Sequence, residues 1–224
     1  LCNEGLKIVN SILVDSPDAE KRLLAFRALR NAGQDIVPLV SKLSTQEPSA
    51  AVRREAALAL RDVPADRKLP YLSSLLQQYE VDDLTYLEAC GIGAKGADTD
   101  QLWRDLKKSA LIEDPTKWSA AFARIAWRIR PLAAIDDLLN RAEEKTLPLK
   151  TRLLAIETLA FYDNPRALPA LLKAAKINGP VGGEATRWLI HLGNTRWRKF
   201  RVFDSLKKEG IYDPDQVEIT EVVV

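Results

Sequence analysis

Two phrases decide the fold: RLLAFRALRNAG (22–33) and RREAALALRDVP (53–64). They match position by position at a constant offset of 31 residues: Ala25 with Ala56, Ala28 with Ala59, Leu29 with Leu60, and Arg30 with Arg61. Self-similarity at a period between 20 and 50 residues is typical of repeat architectures. The two phrases therefore predict a chain built from repeated units.

A second phrase follows the first in each unit and carries a proline. It reads IVPLVSKL (36–43), KLPYLSSLL (68–76) and ALPALLKAA (167–175), and the prolines are 32 and then 99 residues apart. Weaker copies of this second phrase begin at Gln101 and Pro131, and the first phrase recurs at 86–93, 120–129, 153–162 and 184–193. The chain therefore contains about six units with a period near 32, each with two amphipathic stretches joined by a short turn.

Each stretch has the pattern of a helix. The apolar residues of 23–29 fall on one helical face. Ser16-Pro17-Asp18 and Asn164-Pro165 predict helix starts, with a capping side chain before a first-turn proline. Predicted helix ends lie at the glycines that follow helical runs, Gly33, Gly193 and Gly210.

The repeated pairs resemble HEAT repeats. A pair of this length cannot bury its apolar face alone, so stacked pairs share one core. The resemblance implies an all-α fold, a right-handed α-α solenoid of about six HEAT-like helix pairs. We expect one domain over 1–210. The stretch 211–224, with a turn at Asp213-Pro214-Asp215 and β-branched residues after it, is expected to form an extended tail or a linker.

Composition excludes several classes of protein. The chain has 224 residues with 33 basic and 31 acidic side chains, a net charge of +2, which argues against a protein that coats nucleic acid. No run approaches the roughly 18 apolar residues of a membrane span, and no signal-peptide pattern opens the sequence. The sequence lacks methionine altogether, so we expect a mature product or an excised domain.

The stretch EACGIGAKGAD (88–98) contains Gly91-x-Gly93-x-x-Gly96, the spacing of a dinucleotide-binding fingerprint. That fingerprint requires a strand before the glycines and a helix after them. Here the residues before the glycines belong to the first helix of the third unit. We therefore interpret the glycines as a helix C-terminus and turn, and Asp98 as the cap of the next helix.

Catalytic and metal-binding chemistry is sparse. His191 is the only histidine, so it has no partner imidazole for a metal site and no adjacent cysteine for a nucleophilic dyad. Cys90 lies on the apolar face of its predicted helix and is expected to be buried, whereas Cys2 is expected to be exposed. We predict no catalytic residue, no metal and no cofactor, and a chain that is not an enzyme.

Basic and aromatic residues give the candidate binding surface. RWRKFR (196–201) reads either as a core helix, because aromatic and apolar residues recur every three positions from 197 to 206, or as a patch for an anionic partner. An arginine series through the first helices is interpreted as a solvated ridge that pairs with Glu20, Glu55 and Glu157 along helices; it comprises Arg27, Arg30, Arg53, Arg54, Arg61, Arg124, Arg128, Arg130 and Arg152.

All five tryptophans lie in the second half of the chain. They are interpreted either as core residues or as a recognition surface on the inner face of a solenoid, where partners bind. The candidate partner-binding surface comprises Arg124, Trp127, Arg128, Trp188, Arg196, Arg198 and Arg201.

A finer resemblance covers residues 16 to 216. The phrases LTYLEACGIGAKGADTDQLW (84–103), AFARIAWRIRPLAAIDDLLNRA (121–142), RLLAIETLAFYDNPRALPALLKAA (152–175) and LKKEGIYDP (206–214) are similar to phrases in the large exported haem-binding proteins of Planctomycetes and Verrucomicrobia. Those proteins combine a dehydrogenase-like β-propeller, a HEAT region and a cytochrome domain with a Cys-x-x-Cys-His motif. This sequence has no such motif, so no haem or dehydrogenase residue carries over.

The resemblance implies the solenoid part of a larger redox protein. Its expected function is a non-catalytic interaction or scaffold module, exported or periplasmic, with a propeller or cytochrome domain of the same polypeptide as protein partner. Nucleic acid is not the expected partner. Two alternatives stay open: a nucleic-acid enzyme like the HEAT-like DNA glycosylases, and a lyase or chaperone for a tetrapyrrole.

Overall fold

Helices account for most of residues 2–216, the part of the chain that the computed structural model describes. Within that part there are thirteen α-helices, a few short 3-10 turns and no strand. The helices are α1 (Asn3–Asp15), α2 (Ala19–Asn31), α3 (Ile36–Gln46), α4 (Ala50–Ala59), α5 (Ala65–Gln77), α6 (Leu84–Gly93), α7 (Thr99–Ala110), α8 (Ala120–Ile129), α9 (Ile135–Glu143), α10 (Leu149–Ala160), α11 (Ala167–Ala175), α12 (Pro180–Asn194) and α13 (Val202–Lys208). The predicted all-α class is confirmed.

The helices from α2 to α13 form six consecutive pairs within the described residues, and they group into two compact units, Leu1–Leu111 and Ile112–Val224. In the first unit α4 packs against α2 and α6, while α5 packs against α3 and α7. In the second unit α10 packs against α8 and α12, while α11 packs against α9 and α13. First helices thus pack on first helices and second helices on second helices, as in an α-solenoid.

The predicted domain limits keep the status of predictions. A single domain over 1–210 stays a prediction. At the end of the second unit, the Asp215 N–H donates to the Asp213 carboxylate at 3.0 Å, which forms the predicted turn. Of the tail predicted over 211–224, the described part ends in a short 3-10 turn at Pro214–Gln216, and the residues from 217 onwards lie outside the described residues.

Helix starts differ in detail from the prediction. Asp18, and not Ser16, caps α2: its carboxylate accepts from the N–H groups of Glu20 and Lys21, and Pro17 stays outside the helix. A carboxylate at this position also interacts favourably with the helix dipole, which a hydroxyl does less strongly. Asn164 accepts from the Arg166 N–H in the turn that leads into α11.

Helix ends agree with the prediction at two of three glycines. Gly33 and Gly210 have φ of +73° and +65° and follow α2 and α13. Gly193 is different: it is the second-last residue of α12, so the helix ends within one residue of it, at Asn194, but the glycine does not follow the helix. A Cβ at Gly193 would come within 2.9 Å of the Phe203 ring, so this glycine allows the two helices to pack closely.

The glycines of 91–96 are explained by helix packing. Gly91 and Gly93 lie in the last turn of α6, and Gly96 follows in the turn with φ of +76°. A Cβ at Gly93 would lie 2.3 Å from the carbonyl oxygen of Ala57 in α4. Asp98 accepts from the Gln101 N–H and caps α7, as predicted. A helix precedes these glycines, so the dinucleotide fingerprint is excluded.

A buried lysine stabilises the same turn. The Lys68 side chain is only 1% exposed, and its ammonium donates to three carbonyl oxygens, those of Arg61 at 3.3 Å, Gly93 at 3.1 Å and Lys95 at 2.9 Å. Burial lowers the pKa of Lys68. The lysine thereby satisfies carbonyl groups that helix ends leave without an intrahelical partner.

A buried ion pair connects α2 to the end of α3. The Arg22 guanidinium binds both oxygens of Glu47, at 2.8 and 2.7 Å, and also donates to the Ser16 carbonyl. Burial alone would raise the pKa of Glu47, but hydrogen bonds from Arg22 and from the Ser49 N–H outweigh it and lower this pKa. The geometry is the planar, two-point pairing that guanidinium and carboxylate groups favour.

The repeat position of Arg22 carries an arginine in two further units, Arg53 and Arg152. Arg53 donates to the carbonyls of Glu47 and Pro48, both at 2.8 Å, and Arg152 donates to the Ala142 carbonyl at 2.8 Å. Arg53 is buried, so its interpretation as part of a solvated ridge was wrong. Both side chains therefore bind backbone carbonyl groups at the end of the preceding helix pair, where the helix leaves these carbonyls without an intrahelical partner.

Glu55 also departs from the prediction. It accepts from Arg27 at 2.7 Å and from Arg30 at 3.4 Å, so its partners lie on the neighbouring helix α2 and not along its own helix. The pairing connects two first helices of the first unit.

Candidate partner-binding surface

Three aromatic rings form a row along the first helices of the second unit. Trp127 lies on α8, Phe161 directly follows α10, and Trp188 lies on α12. The ring centroids of Trp127 and Phe161 are 6.0 Å apart, and those of Phe161 and Trp188 are 5.7 Å apart. All three side chains are half-buried. We call these three residues the aromatic row.

Helix packing brings these rings together. α10 packs between α8 and α12, and each helix presents small buried residues to its neighbours, among them Ala126, Ala155 and Ala185. The packing of these helices lets large side chains from three successive repeats touch, although Phe161 does not stand at the repeat position of Trp127. The Trp127 Nε1–H also donates to the Glu157 carboxylate at 3.2 Å, which fixes the indole against α10.

Guanidinium groups cover two of the rings. The guanidinium carbon of Arg196 lies 5.4 Å from the Phe161 ring centroid, and that of Arg187 lies 4.8 Å from the Trp188 ring centroid. Both distances are within the range of cation–π attraction. Arg196 also donates to the Ala160 carbonyl, so its position is set by the end of α10.

Arg187 is held by a second interaction. It makes a two-point pair with Glu184, one turn earlier on α12. This hydrogen bonding lowers the pKa of Glu184 and raises the pKa of Arg187. The pair is solvent-exposed on the arginine side, so its main effect is to orient the guanidinium over Trp188.

The three first helices of the second unit are strongly basic. With the turn residues that follow them, 120–130, 149–161 and 180–196 contain seven arginine and lysine residues but only two carboxylates. The seven are Arg124, Arg128, Arg130, Lys150, Arg152, Arg187 and Arg196. A formal excess of five positive charges on three helices contrasts with +2 for the whole chain. Of the seven, Arg187 and Arg196 lie over rings of the aromatic row, whereas Arg152 is bound to the Ala142 carbonyl.

A groove lies beside Phe161. Its volume is about 390 Å³, and residues 129–132 and 161–164 line it together with Arg196. Arg130 has φ of +46° after α8 and donates to the Phe161 carbonyl at 3.5 Å. Asp163 on the groove is 3.8 Å from the Lys199 ammonium. The groove offers both apolar and charged groups next to the row.

Five of the seven residues predicted for the surface lie on this row of helices. Trp127 and Trp188 belong to the row itself, and Arg196 covers its central ring. Arg124 and Arg128 lie on α8, three residues before and one after Trp127, and both are half-buried. The structure thus aligns residues from three successive repeats, the outer two of which, Trp127 and Trp188, are 61 positions apart in the sequence.

The other two predicted residues are elsewhere. Arg198 and Arg201 line a separate depression formed by 193–204. Arg201 pairs with Asp204 at 2.6 Å and has φ of +54°, a left-handed conformation that separates a 3-10 turn at 198–200 from α13. The predicted core helix through 197–206 is therefore broken in two, although its apolar stripe does face the core: Trp197 and Leu206 are fully buried.

The five tryptophans divide between the two interpretations that the sequence allowed. Trp103, Trp118 and Trp197 are core residues, each at most 5% exposed. The Trp197 Nε1–H donates to the Tyr162 carbonyl at 2.9 Å, so its burial leaves no unmatched donor there. Trp127 and Trp188 are the two that reach the surface.

Phe161 is the residue that sequence reasoning missed. It stands 31 residues after Arg130, at the equivalent position in the next unit. The repeat spacing could have indicated that it faces the same side as the Arg130 turn. The aromatic side chain at that position would have been the additional sign that Phe161 belongs to the binding surface.

The remaining candidates add no chemistry to this surface. His191 is exposed on α12 and meets the edge of Trp188 at 5.9 Å. As predicted, Cys90 is buried and Cys2 exposed. Among residues 2–216, no cluster of three histidine, cysteine or acidic side chains is placed to hold a metal ion. In the same range, no helix is both long and apolar enough to span a membrane.

Comparison with known proteins gives one positive result. A family model described as HEAT repeats matches residues 7–88. No curated protein matches the chain, and the resemblance to the exported haem-binding proteins gains no support from these comparisons. Residues 7–88 are similar to HEAT repeats, and the same arrangement of helix pairs continues through the second unit up to α13.

Proposed function

We propose that the chain is a non-catalytic protein-interaction module and that the aromatic row with its arginines is the surface it uses. One observation carries the proposal: three successive first helices place Trp127, Phe161 and Trp188 side by side, with two guanidinium groups over their rings. Tryptophan and arginine are the residue types most enriched at the energetic centres of protein interfaces.

The repeat architecture supports the same role. Stacked helix pairs present equivalent positions of successive repeats along one extended surface, which suits them to binding other proteins. The match of residues 7–88 to HEAT repeats is consistent with a scaffold of this kind. Half-buried aromatic side chains are also suited to binding, because they expose apolar area while their packing keeps them in one conformation.

The proposal is tested by affinity capture from cells that make the protein. The double variant Trp127→Ala, Trp188→Ala removes both ends of the row. The control, Tyr71→Ala, removes a half-buried aromatic side chain on α5 of the first unit. We expect the wild-type chain and the control to retain the same specific partner and the double variant to lose it, with circular dichroism confirming that all three are folded. Equal capture by the double variant would rule out the row as the surface.

We further propose that the chain is the helical part of a larger exported redox protein. The support is the resemblance of the phrases at 84–103, 121–142, 152–175 and 206–214 to the haem-binding proteins of Planctomycetes and Verrucomicrobia. The partner would then be a propeller or cytochrome domain of the same polypeptide. The test is the gel mass of the native protein together with in-gel haem staining. A haem-stained band far above 25.0 kDa is expected, and a haem-free band near that mass would refute this context.

A nucleic-acid role is the second candidate. The excess of five positive charges on the first helices of the second unit favours it, because phosphate groups bind to such surfaces. Binding to duplex DNA that weakens steeply with salt, and that is lost when Arg124 and Arg196 are replaced by glutamate, would support this role over protein binding.

A further inference from the structure

We infer that the segment bound by the aromatic row is an acidic, extended peptide with apolar side chains at alternate positions. The inference rests on the proposed function and specifies the chemistry of the partner. Three features of the row carry it: the spacing of its rings, the charge around them, and the groups that cover the ring faces.

Ring spacing fits an extended peptide. Neighbouring rings of the row are 6.0 and 5.7 Å apart, and the row runs across helices, not along one. In an extended chain, side chains two residues apart point the same way at about 6.6 Å. Alternate side chains of one peptide can therefore contact successive rings.

Local charge favours carboxylates on the peptide. Arg124 lies one helical turn before Trp127 on α8, and Arg196 lies over Phe161. Arginine binds carboxylates through two parallel hydrogen bonds, and a guanidinium that lies over a ring keeps N–H groups at its edge. The residues of an extended peptide that point away from the rings alternate with those that contact them, so acidic residues at those positions can reach the arginines on either side.

Ring coverage disfavours nucleic bases. Stacking of a base needs an open aromatic face. Arg196 covers a face of Phe161 and Arg187 covers a face of Trp188, while the rings themselves meet at steep angles of 58° and 62°. Ring edges and partly open faces remain, and these suit aliphatic and aromatic side chains better than stacked bases.

The test uses a fluorescein-labelled heptapeptide of alternating aspartate and phenylalanine, titrated with the full chain and followed by fluorescence polarisation. Three probes serve as comparisons: a peptide with lysine in place of aspartate, a peptide of the same composition with its phenylalanines adjacent, and a short oligothymidylate. We expect saturable binding of the alternating acidic peptide, at least about tenfold weaker binding of each comparison probe, and weaker binding of the acidic peptide at higher salt.

Matched variants locate the site. The double variant Arg124→Glu, Arg196→Glu should weaken binding of the acidic peptide by about tenfold or more. Both arginines that would bind the carboxylates of the peptide are then replaced by negatively charged side chains. Arg104→Glu makes the same change at an exposed arginine on α7 of the first unit and should alter binding less than about twofold. Circular dichroism and the fluorescence of the buried tryptophans show whether each variant is folded.

Several results would overturn the inference. No saturable binding of the acidic peptide would refute it, as would equal binding of the lysine peptide or of the peptide with adjacent phenylalanines. Binding of oligothymidylate that is lost in the same double variant would assign the surface to nucleic acid. An equal effect of Arg104→Glu would place binding elsewhere.

The capture experiment with Trp127→Ala, Trp188→Ala separates the two failures. A captured partner that depends on the row, together with no binding of the acidic peptide, refutes the partner chemistry and leaves the interaction function standing. Capture that does not depend on the row refutes the proposed surface.

Discussion

Buried charges hold the connections between successive helix pairs of the first unit. Arg22 and Glu47 bind each other through two hydrogen bonds between α2 and the end of α3, and Lys68 binds three carbonyl groups near the ends of α4 and α6. Breaking such a pair is costly because the remaining charge stays buried without its partner. These residues therefore stabilise the stacking of repeats more than a surface ion pair would.

The variant Glu47→Gln tests the first of these interactions. It should lower the free energy of unfolding at neutral pH by about 3 kcal/mol, since Arg22 loses its counter-charge. The control Glu80→Gln, in an exposed turn, should change it by less than about 0.5 kcal/mol. Urea denaturation measures both.

The pH dependence of that difference has a defined sign. Because the pKa of Glu47 is lowered in the folded chain, the unfolded chain binds more protons at this residue as the solution becomes acidic. The advantage of the wild type over Glu47→Gln should be complete above the ordinary glutamate pKa of about 4.3 and should shrink as pH falls through the lowered value. A difference that stays constant from pH 7 to pH 3 would contradict the paired geometry.

Lys68 gives the opposite pH window. Lys68→Met should destabilise the chain by about 2–4 kcal/mol, because carbonyl groups near two helix ends lose their donor; Lys108→Met, at an exposed position on α7, is the control. Burial lowers the pKa of Lys68, so at alkaline pH the unfolded chain holds this proton more tightly than the folded chain. Wild-type stability relative to Lys68→Met should therefore rise between the lowered pKa and about pH 10.4. Thermal denaturation across this range measures the difference, and a difference that does not change with pH would mean that the lysine is solvated and keeps its ordinary pKa.

Individual side-chain roles were the part that the sequence predicted least well. Arg53 belongs to the same arginine series as the half-buried Arg124, yet it is buried against backbone carbonyls. Carbonyl acceptors are present at every residue, so the sequence carries no pattern that distinguishes an arginine bound to them from one in solvent. Arg201 is a further example, since a non-glycine residue at positive φ breaks a helix that apolar spacing alone predicts as continuous.

At the scale of helices, glycine packing sets the distance between α4 and α6. Gly93→Ala should destabilise the chain by about 1–3 kcal/mol, because its Cβ would meet the backbone oxygen of Ala57 at 2.3 Å and neither helix can move alone. Gly183→Ala, in the first turn of α12, meets nothing within 4 Å and should stabilise the chain by about 0.5–1 kcal/mol.

Chemical denaturation of the two glycine variants measures these opposite signs. A neutral or stabilising Gly93→Ala would mean that α4 and α6 do not approach as closely as the structure places them. A destabilising Gly183→Ala would contradict its open surroundings.

Helix pairs were the level at which the sequence was most informative. The 31-residue offset between the phrases at 22–33 and 53–64 predicted two equivalent helices. The first is α2, and the second is α4 together with the 3-10 turn that follows it at Leu60–Asp62. Apolar periodicity is a property of whole segments and survives local exceptions, which is why element type was predictable while element ends shifted by a few residues, as at Asp18.

At the scale of the whole chain, charge is unevenly distributed. The net charge of +2 hides an excess of five on the first helices of the second unit. Composition alone could not show this, because only the arrangement of helices determines which charges share a surface. The same holds for the aromatic row: Trp127 and Trp188 were candidates from their residue type, but Phe161 joins them only through the packing of α10 between α8 and α12.

Site-specific photo-crosslinking tests the central claim, that the row is a partner-binding surface, most directly. A benzophenone amino acid replaces His191, which is exposed beside Trp188, or Arg104, on α7 of the first unit, in cells that make the protein. We predict that position 191 cross-links to one defined partner protein and that position 104 does not. Cross-linking from position 104 alone, or equal cross-linking from both positions, would contradict the claim.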